Sequence, residues 1–374
     1  MKNYIKNWFI ASAAFTLACG GIDLTVDNND KTDGRTTEVQ DEVAEALEAG
    51  NTVYGGLGSY WTVVKTPSGN FTMTRREERD ADIDGTVHGS YTTLESGFME
   101  LTVTHGTGMF AEVPEGLLIY GVEIPNTLLV IKMPHRDQLL YMPAIGNCPT
   151  EQVAINAIWT RTQGELLWND RDVVHAMGVI DPQAGSITGQ GYFFGDGLNE
   201  HRAREAVGSY SCERGELTVT GNDVTKDGIL TESGVGNLGG ALLVPQDATV
   251  VQADLQGDYV GVAYGPADED HNRSIKALTA SFGADGTDGT VRVVTNAEAT
   301  AIESEHNLSI TAPAEGAVPG SFLYSAIGDL SVTDRGLGVM LVARDIGGSG
   351  KTFIVAHGQR PEDSRPYFLF LVEK

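Results

Sequence analysis

The chain has 374 residues, 41% of them hydrophobic, and a formal net charge of −26. A length of this order suggests two or three domains, and the hydrophobic content is enough for ordinary cores. So acidic a surface repels phosphate groups, which makes nucleic acid and anionic lipid headgroups poor candidate partners, although the same charge is also typical of a solvated β-protein with no charge-dependent partner.

The first residues have the pattern of a secretory signal. Lys2 and Lys6 form a basic segment, residues 8–18 are mostly apolar, and Cys19 follows them. The apolar segment is shorter than the roughly 20 residues that a membrane-spanning helix needs. We therefore predict a signal over residues 1–18 that is removed on export.

The end of this signal, Phe-Thr-Leu-Ala-Cys-Gly at residues 15–20, resembles the type II signal peptides of bacterial lipoproteins. In that family the cysteine thiol receives a diacylglycerol and the freed amine is acylated. The family prefers leucine three positions before the cysteine, where this chain has Thr16. The resemblance implies lipid attachment at Cys19. Since Gly20 is not the aspartate that retains such proteins at the inner membrane, it also implies the outer membrane, on its periplasmic or surface face. The alternative is an ordinary signal cleaved near Ala18.

Residues 19–51 have the composition of an acidic tether. Aspartate, asparagine and glycine dominate its first part without apolar periodicity, so that part cannot bury enough surface to fold alone. Further on, Thr37 and Gln40 form a capping box, and an apolar stripe runs from Val39 to Leu47. We expect one short helix here, docked on the first domain.

From residue 52 onward the pattern is typical of strands and turns. Short runs of valine, threonine, isoleucine, leucine and tyrosine alternate with many of the 46 glycines. We predict an all-β fold of tandem antiparallel β-barrel or sandwich modules, of lipocalin-like or streptavidin-like character, with few short helices. The predicted modules are 52–150, 151–250 and 251–374; fusion of the first two into one domain is the alternative.

An internal sequence repeat supports the modular arrangement. Residues 89–91 and 208–210 both read Gly-Ser-Tyr, and each is followed by Glu-Leu-Thr-Val-Thr, at residues 100–104 and 216–220. Trp61, Trp159 and Tyr259 also lie near predicted strand starts, about 100 residues apart. Such a period suits barrels or sandwiches of seven or eight strands, but chance patterning in a β-rich chain is the alternative.

Two local signals lie within the second predicted module. Asp-Pro-Gln-Ala-Gly at residues 181–185 predicts a hairpin turn, because proline presets the turn and glycine closes it. Residues 199–207 predict a second helix, with Asn199 as its N-cap and Gly208 just after its end.

Apart from Cys19, the chain has two cysteines, Cys148 and Cys212. An even pair in an exported protein predicts a disulfide. The alternative, a catalytic cysteine, needs an unpaired thiol and a nearby base.

The sharpest chemical motif is Asp80, Asp82 and Asp84 followed by Gly85. Alternate carboxylates before a sharp turn are what a calcium loop requires, and the segment resembles the first half of an EF-hand-type loop. The resemblance fails at the twelfth position, where Tyr91 replaces the bidentate glutamate. Calcium is the one cofactor that the sequence suggests; a solvated acidic turn is the alternative.

Sequence signatures of common enzymes are absent. Residues 345–352 end like a phosphate-binding loop, but Asp345 replaces its first glycine and the context predicts a hairpin. The eight histidines have no spacing typical of zinc hydrolases, and the chain has no Gly-x-Ser-x-Gly motif.

We therefore expect a lipid-anchored, non-enzymatic binding protein of the cell envelope. It would be anchored to the membrane through Cys19, and its further partner would be an unidentified protein, glycan or small apolar ligand. The alternative is an envelope hydrolase or enzyme inhibitor whose site is assembled from distant strands. A closed apolar cavity would favour ligand carriage, and a cluster of converging carboxylates and histidines would favour catalysis.

Overall fold

A computed structural model describes residues 35–55, 61–76, 83–132, 139–159, 173–194, 204–221, 224–238, 241–267, 273–312, 318–327, 337–359 and 366–374. Within these ranges the chain forms one α-helix and 24 strands, and all strand pairs are antiparallel. None of the described helical residues forms a segment long and apolar enough to span a membrane.

The helix predicted in the tether is α1, Arg35–Glu48. It begins two residues before the predicted cap, Thr37, and ends just before Gly50, whose φ of 79° is the left-handed conformation that glycine favours after a helix. An ion pair between Glu42 and Arg76 attaches the helix to the first sheet.

The first sheet is an up-and-down meander of eight strands. They are β1 Thr52–Gly55, β2 Trp61–Lys65, β3 Asn70–Arg76, β4 Ile83–Thr93, β5 Met99–Gly108, β6 Leu118–Ile124, β7 Leu128–Lys132 and β8 Leu139–Pro143. Each strand pairs with the next. A bridge between Tyr54 and Ala144, and a hydrogen bond from the Ile145 amide to the Val53 carbonyl (2.7 Å), join the two edges and close the sheet.

The second sheet is a closed barrel with the same order. Its strands are β9 Val153–Trp159, β10 Val173–Asp181, β11 Ser186–Phe194, β12 Arg204–Glu213, β13 Glu216–Gly221, β14 Val224–Leu230, β15 Gly236–Leu238 and β16 Ala241–Pro245. Closure comes from the pairing of β9 with β16.

The third sheet is also a closed barrel. Its strands are β17 Gly257–Ala267, β18 Arg273–Phe282, β19 Asp288–Val294, β20 Ile302–Thr311, β21 Ser321–Ile327, β22 Leu337–Ala343, β23 Phe353–Gln359 and β24 Pro366–Glu373. Here β17 pairs with β24. The prediction of an all-β chain of tandem antiparallel barrels is confirmed.

The internal sequence repeat lies at equivalent positions in the first two barrels. The two Gly-Ser-Tyr segments lie in β4 and β12, the fourth strands of their barrels, and the two Glu-Leu-Thr-Val-Thr segments lie in β5 and β13, the fifth strands. Two hairpin turns were also predicted correctly: residues 182–185 join β10 to β11, and residues 344–352 join β22 to β23. Of the three aromatic residues, Trp61 begins β2 and Tyr259 lies near the start of β17, but Trp159 ends β9.

The second predicted helix is wrong where it can be compared. Residues 204–207 belong to β12, which pairs with β11 and β13, while Asn199 lies outside the described residues. Strand β11 supplies cross-strand partners for this backbone, and such pairing overrides a weak local helix signal. Cys212 consequently lies on a strand rather than after a helix.

The core consists of three barrel interiors and a fourth cluster shared by all three barrels. Along β7, Leu129 and Ile131 face the first interior, whereas Leu128 and Val130 face the shared cluster. The strands β16 and β24 alternate in the same way. Strands buried on both faces have continuous apolar sequences, which is why these segments lack polar alternation. We call this shared cluster the central core.

Candidate functional site

Of the three predicted calcium ligands, only Asp84 lies within the described residues, at one end of the first barrel. In an up-and-down barrel the connections β1–β2, β3–β4, β5–β6 and β7–β8 all leave from the same end, and we call it the loop end. Asp80 and Asp82 belong to the β3–β4 connection and lie outside the described residues. Asp84, on β4, is described.

Asp84 already has a cationic partner. Its carboxylate accepts a hydrogen bond from the Arg75 guanidinium, and its backbone carbonyl accepts one from the Met109 amide at 2.9 Å. The guanidinium lies 5.8 Å from the centroid of the Trp61 ring. A calcium ion bound by the three aspartates would compete with Arg75 for Asp84. The described residues contain no group of three or more histidine, cysteine, aspartate or glutamate side chains that could hold a metal.

The interior is closed at this end by the β5–β6 connection. Phe110 and Val113 in that connection are buried, and the Phe110 ring lies 5.8 Å from the Trp61 ring. Gly106 permits this fold-back because a Cβ at its position would lie 2.1 Å from the Phe110 carbonyl oxygen. Apolar side chains therefore fill the mouth of the first barrel.

A polar cluster lies inside the opposite end of the same barrel. Lys65 Nζ is 2.5 Å and 2.6 Å from the two carboxylate oxygens of Glu123, and the Tyr54 hydroxyl donates to Glu123 Oε1 at 2.5 Å. The ammonium also lies 4.1 Å from the centroid of the Tyr91 ring. Burial, followed by the Glu123 carboxylate, raises the pKa of Tyr54, so its hydroxyl stays protonated and donates.

This cluster was not predicted from the sequence, although one signal was present. Lys65 continues the inward-facing series of Trp61 and Val63 on β2, so a charged side chain occupies a core position. Such a position requires a buried partner of opposite charge. Its charges and hydrogen-bonding groups are mutually satisfied, so the cluster is suited to holding the barrel together rather than to proton transfer.

Packed side chains occupy the first and third interiors. The largest fully buried ones in the first barrel are Tyr54, Phe71 and Met73, and in the third Tyr259 and Tyr324. An eight-stranded barrel is just wide enough for side chains to fill it. In the described residues, large buried side chains line the interiors of these two barrels.

Two contacts fix the connections between barrels. Cys148, between β8 and β9, forms a disulfide with Cys212 on β12, with a Cα–Cα distance of 5.9 Å. Arg344, after β22, binds Asp247 between β16 and β17 through Nε (2.9 Å) and Asp254 through Nη1 (2.8 Å). The predicted disulfide is therefore present, and both inter-barrel connections are held against a neighbouring barrel.

The central core includes residues from some strands of each barrel and not from others. It draws on β6 and β7 of the first barrel, on β9 and β16 of the second, and on β17, β19, β22, β23 and β24 of the third. Among the described residues, none from the fourth strands β4, β12 and β20 belongs to it. Because the fourth strands contribute no described residue to the central core, we call them the outward strands.

Each outward strand carries one exposed large hydrophobic side chain. Ile83 on β4 is 54% exposed, Val207 on β12 is 63% exposed, and Ile302 on β20 is 54% exposed. They are three of the six exposed large hydrophobic side chains among the described residues. Single exposed apolar side chains are common, but their recurrence on the same strand of all three barrels is a shared feature of the modules.

No family model and no curated protein matches the sequence. Among solved structures, the chain is similar to intact Ap-TbpB with its N and C lobes (9% identity, TM-score 0.24), covering 84% of this chain and 66% of that one. It is similar also to a tryptophan-to-alanine mutant of the vaccine antigen Transferrin Binding Protein B from Haemophilus parasuis Hp5 (9% identity, TM-score 0.24), covering 84% and 65%. The chain thus spans slightly less than two thirds of these proteins, and similarity this low carries no functional argument.

Proposed function

We propose that this protein is a lipid-anchored, non-enzymatic interaction protein of the bacterial outer membrane, which binds a protein partner through the outward strands of its barrels. The observation that carries the proposal is the division of the barrel surfaces. Buried side chains line the interiors of the first and third barrels, part of every barrel is buried in the central core, and the outward strands are left for contact.

The arrangement of the barrels supports binding without a large loss of entropy. The central core, the disulfide at Cys148 and the Arg344 contacts hold the three barrels in one arrangement. A preorganised surface loses little conformational freedom when a partner binds. The exposed side chains of Ile83, Val207 and Ile302 would supply apolar area for that contact.

A protein partner is favoured over a small apolar ligand. A small apolar ligand is normally enclosed in a concave pocket, whereas single exposed side chains on strand surfaces fit the broad contacts of protein interfaces. Membrane attachment through Cys19 would hold the barrels at the cell envelope, as the lipoprotein-type signal implies.

The test uses two valines of similar exposure. A partner cross-linked to the mature protein on intact cells is purified, and its affinity is measured for wild type, Val207→Ser and Val251→Ser. Val251 lies in the connection between the second and third barrels and is 58% exposed, so it is a matched control for Val207. We expect binding to weaken about tenfold for Val207→Ser, as for an apolar contact at an interface, and to stay unchanged for Val251→Ser.

Two results would overturn the proposal. One is equal weakening in both variants, which would place the contact elsewhere. The other is saturable one-to-one binding of a labelled fatty acid by the mature protein without any protein partner, which would instead indicate ligand carriage.

A further inference from the structure

Two histidines lie side by side on the outer surface of the first barrel. His88 on β4 and His105 on β5 are cross-strand partners, and their rings stack with centroids 4.4 Å apart and an interplanar angle of 19°. His105 is exposed and His88 is partly buried.

One ring nitrogen of each histidine has a hydroxyl partner. His88 Nδ1 lies 3.1 Å from Thr72 Oγ1, and His105 Nδ1 lies 3.4 Å from Thr104 Oγ1. A metal-ligating imidazole usually donates its second N–H to an oxygen, which fixes the ring and directs the other nitrogen to the metal. With both Nδ1 atoms next to hydroxyls, the two Nε2 atoms are the ones suited to ligation.

An irregularity in the strand pairing creates the arrangement. The register between β4 and β5 shifts between His88 and Gly89, and Thr104 is the extra residue. The Thr104 hydroxyl donates to the His88 carbonyl at 3.0 Å, which fills the gap in the ladder. Bulges of this kind redirect side chains, and this one brings the two imidazoles opposite each other.

The electrostatic setting also suits a cation. Burial, followed by the neighbouring His105, lowers the pKa of His88. The chain as a whole carries a formal charge of −26. Imidazole nitrogens prefer zinc, copper and nickel to the hard cations calcium and magnesium.

We propose that His88 and His105 form a surface site for a divalent transition-metal ion, bound through the two Nε2 atoms. Ligation of one ion by both Nε2 atoms requires the two rings to rotate out of their stacked arrangement about the side-chain bonds. The described residues supply no third histidine, cysteine or carboxylate ligand here, so the remaining coordination positions would be taken by water or by an incoming group. This site does not depend on the proposed function.

The test uses Cu²⁺ as the probe, because copper binds imidazole most tightly among the divalent first-row ions. The mature protein is stripped with chelator and titrated by calorimetry, and the bound copper is examined by pulsed electron paramagnetic resonance. The variants are His88→Gln, His105→Gln and Thr72→Val. His306→Gln is the matched control, since His306 lies on β20 with a serine contact at 3.2 Å.

We expect one tight copper ion per chain with a two-imidazole spectrum. Each of the two glutamine variants should weaken binding at least tenfold, because either one removes half of the chelate. Thr72→Val keeps both imidazoles and should weaken binding by about tenfold through the loss of ring orientation. His306→Gln should bind as wild type does.

The proposal would be overturned by a spectrum with a single imidazole, or by wild-type affinity in either His88→Gln or His105→Gln. Equal weakening in His306→Gln would overturn it too, since it would show that the copper is bound elsewhere. Circular dichroism of each variant checks that the fold is retained, and the exposed position of His105 makes its variant the safest in this respect.

Discussion

Lys65 and Glu123 form a two-pronged ion pair inside the first barrel, with Nζ 2.5 Å and 2.6 Å from the carboxylate oxygens and only 7% and 11% of the two side chains exposed. They lie on β2 and β6, which are not neighbours in the sheet, so the pair spans the interior. Tyr54 donates a further hydrogen bond to the same carboxylate. Any change that leaves one charge alone in this interior should be costly.

The first prediction concerns this pair. Glu123→Gln leaves the Lys65 ammonium buried without an opposite charge and should lower the free energy of unfolding by about 3–5 kcal/mol. The double variant Lys65→Met/Glu123→Leu removes both charges and should recover most of that loss. Urea unfolding followed by tryptophan fluorescence measures both; a loss below about 1 kcal/mol for Glu123→Gln would mean that water reaches the pair.

The second prediction concerns the disulfide between Cys148 and Cys212. Replacing both cysteines with serine should cost roughly 2–5 kcal/mol, the usual range for a native bridge in an exported domain, because the connection before β9 is released. Chemical denaturation measures the loss. Peptide mapping without reductant should yield the linked peptides from wild type, and two freely alkylated thiols in the native protein would contradict the prediction.

The third prediction concerns Arg344 and Asp247. Burial opposes ionisation of Asp247, but hydrogen bonds from Arg344 and Thr249 outweigh it and hold the pKa of this carboxyl at about 2. A lowered pKa contributes stability that is present above the unfolded value of 3.8 and is lost as the pH falls toward 2. Arg344→Gln should therefore destabilise the protein at pH 7, by about 1–2 kcal/mol for a partly exposed pair.

The difference in stability between wild type and Arg344→Gln, measured by thermal unfolding, should shrink between pH 4 and pH 2. Arg292→Gln is the control, because Arg292 pairs with Glu305 on the barrel surface with both side chains more than a third exposed. It should cost little at any pH. A difference for Arg344→Gln that is constant from pH 7 to pH 2 would exclude Asp247 as the group responsible.

The fourth prediction is lipid attachment at Cys19, which lies outside the described residues. Metabolic labelling with a fatty acid should mark wild type and leave Cys19→Ser unlabelled. Because several acyl chains anchor a protein far more firmly than one, wild type should stay with the membrane fraction while the variant is released. Equal release of both proteins would contradict the prediction.

The fifth prediction is weak calcium binding at Asp80, Asp82 and Asp84, with a dissociation constant of about 10⁻⁴ to 10⁻³ M. At ten times that concentration, calcium should stabilise the protein by about 1.4 kcal/mol. Thermal unfolding in calcium against chelator measures the shift, and Asp82→Ala should abolish it. The ion pair of Asp84 with Arg75 is a competing contact, so an unchanged midpoint in wild type would identify these aspartates as a solvated turn.

The sequence by itself determined the all-β class of the fold, because the signals for strands and turns come from residues that are close together in the chain. The turn at residues 182–185 has both of its local causes in the chain: proline at its start, and the Asp181 side chain that accepts from the Gln183 and Ala184 amides at 3.0 Å. The internal sequence repeat, which lies in β4–β5 and β12–β13, likewise identified equivalent strands. An even pair of cysteines was enough to predict the disulfide.

The tertiary structure decided what depends on distant segments. Pairing with β11 made residues 204–207 a strand, and the packing of three barrels placed the outer faces of β7, β16 and β24 in a core of their own. The regular register at the start of the β4–β5 hairpin would set His88 opposite Thr104; the bulge sets it opposite His105. Sequence spacing alone cannot show such a shift, because one extra residue in a ladder changes every later pairing and is fixed by contacts made across the sheet.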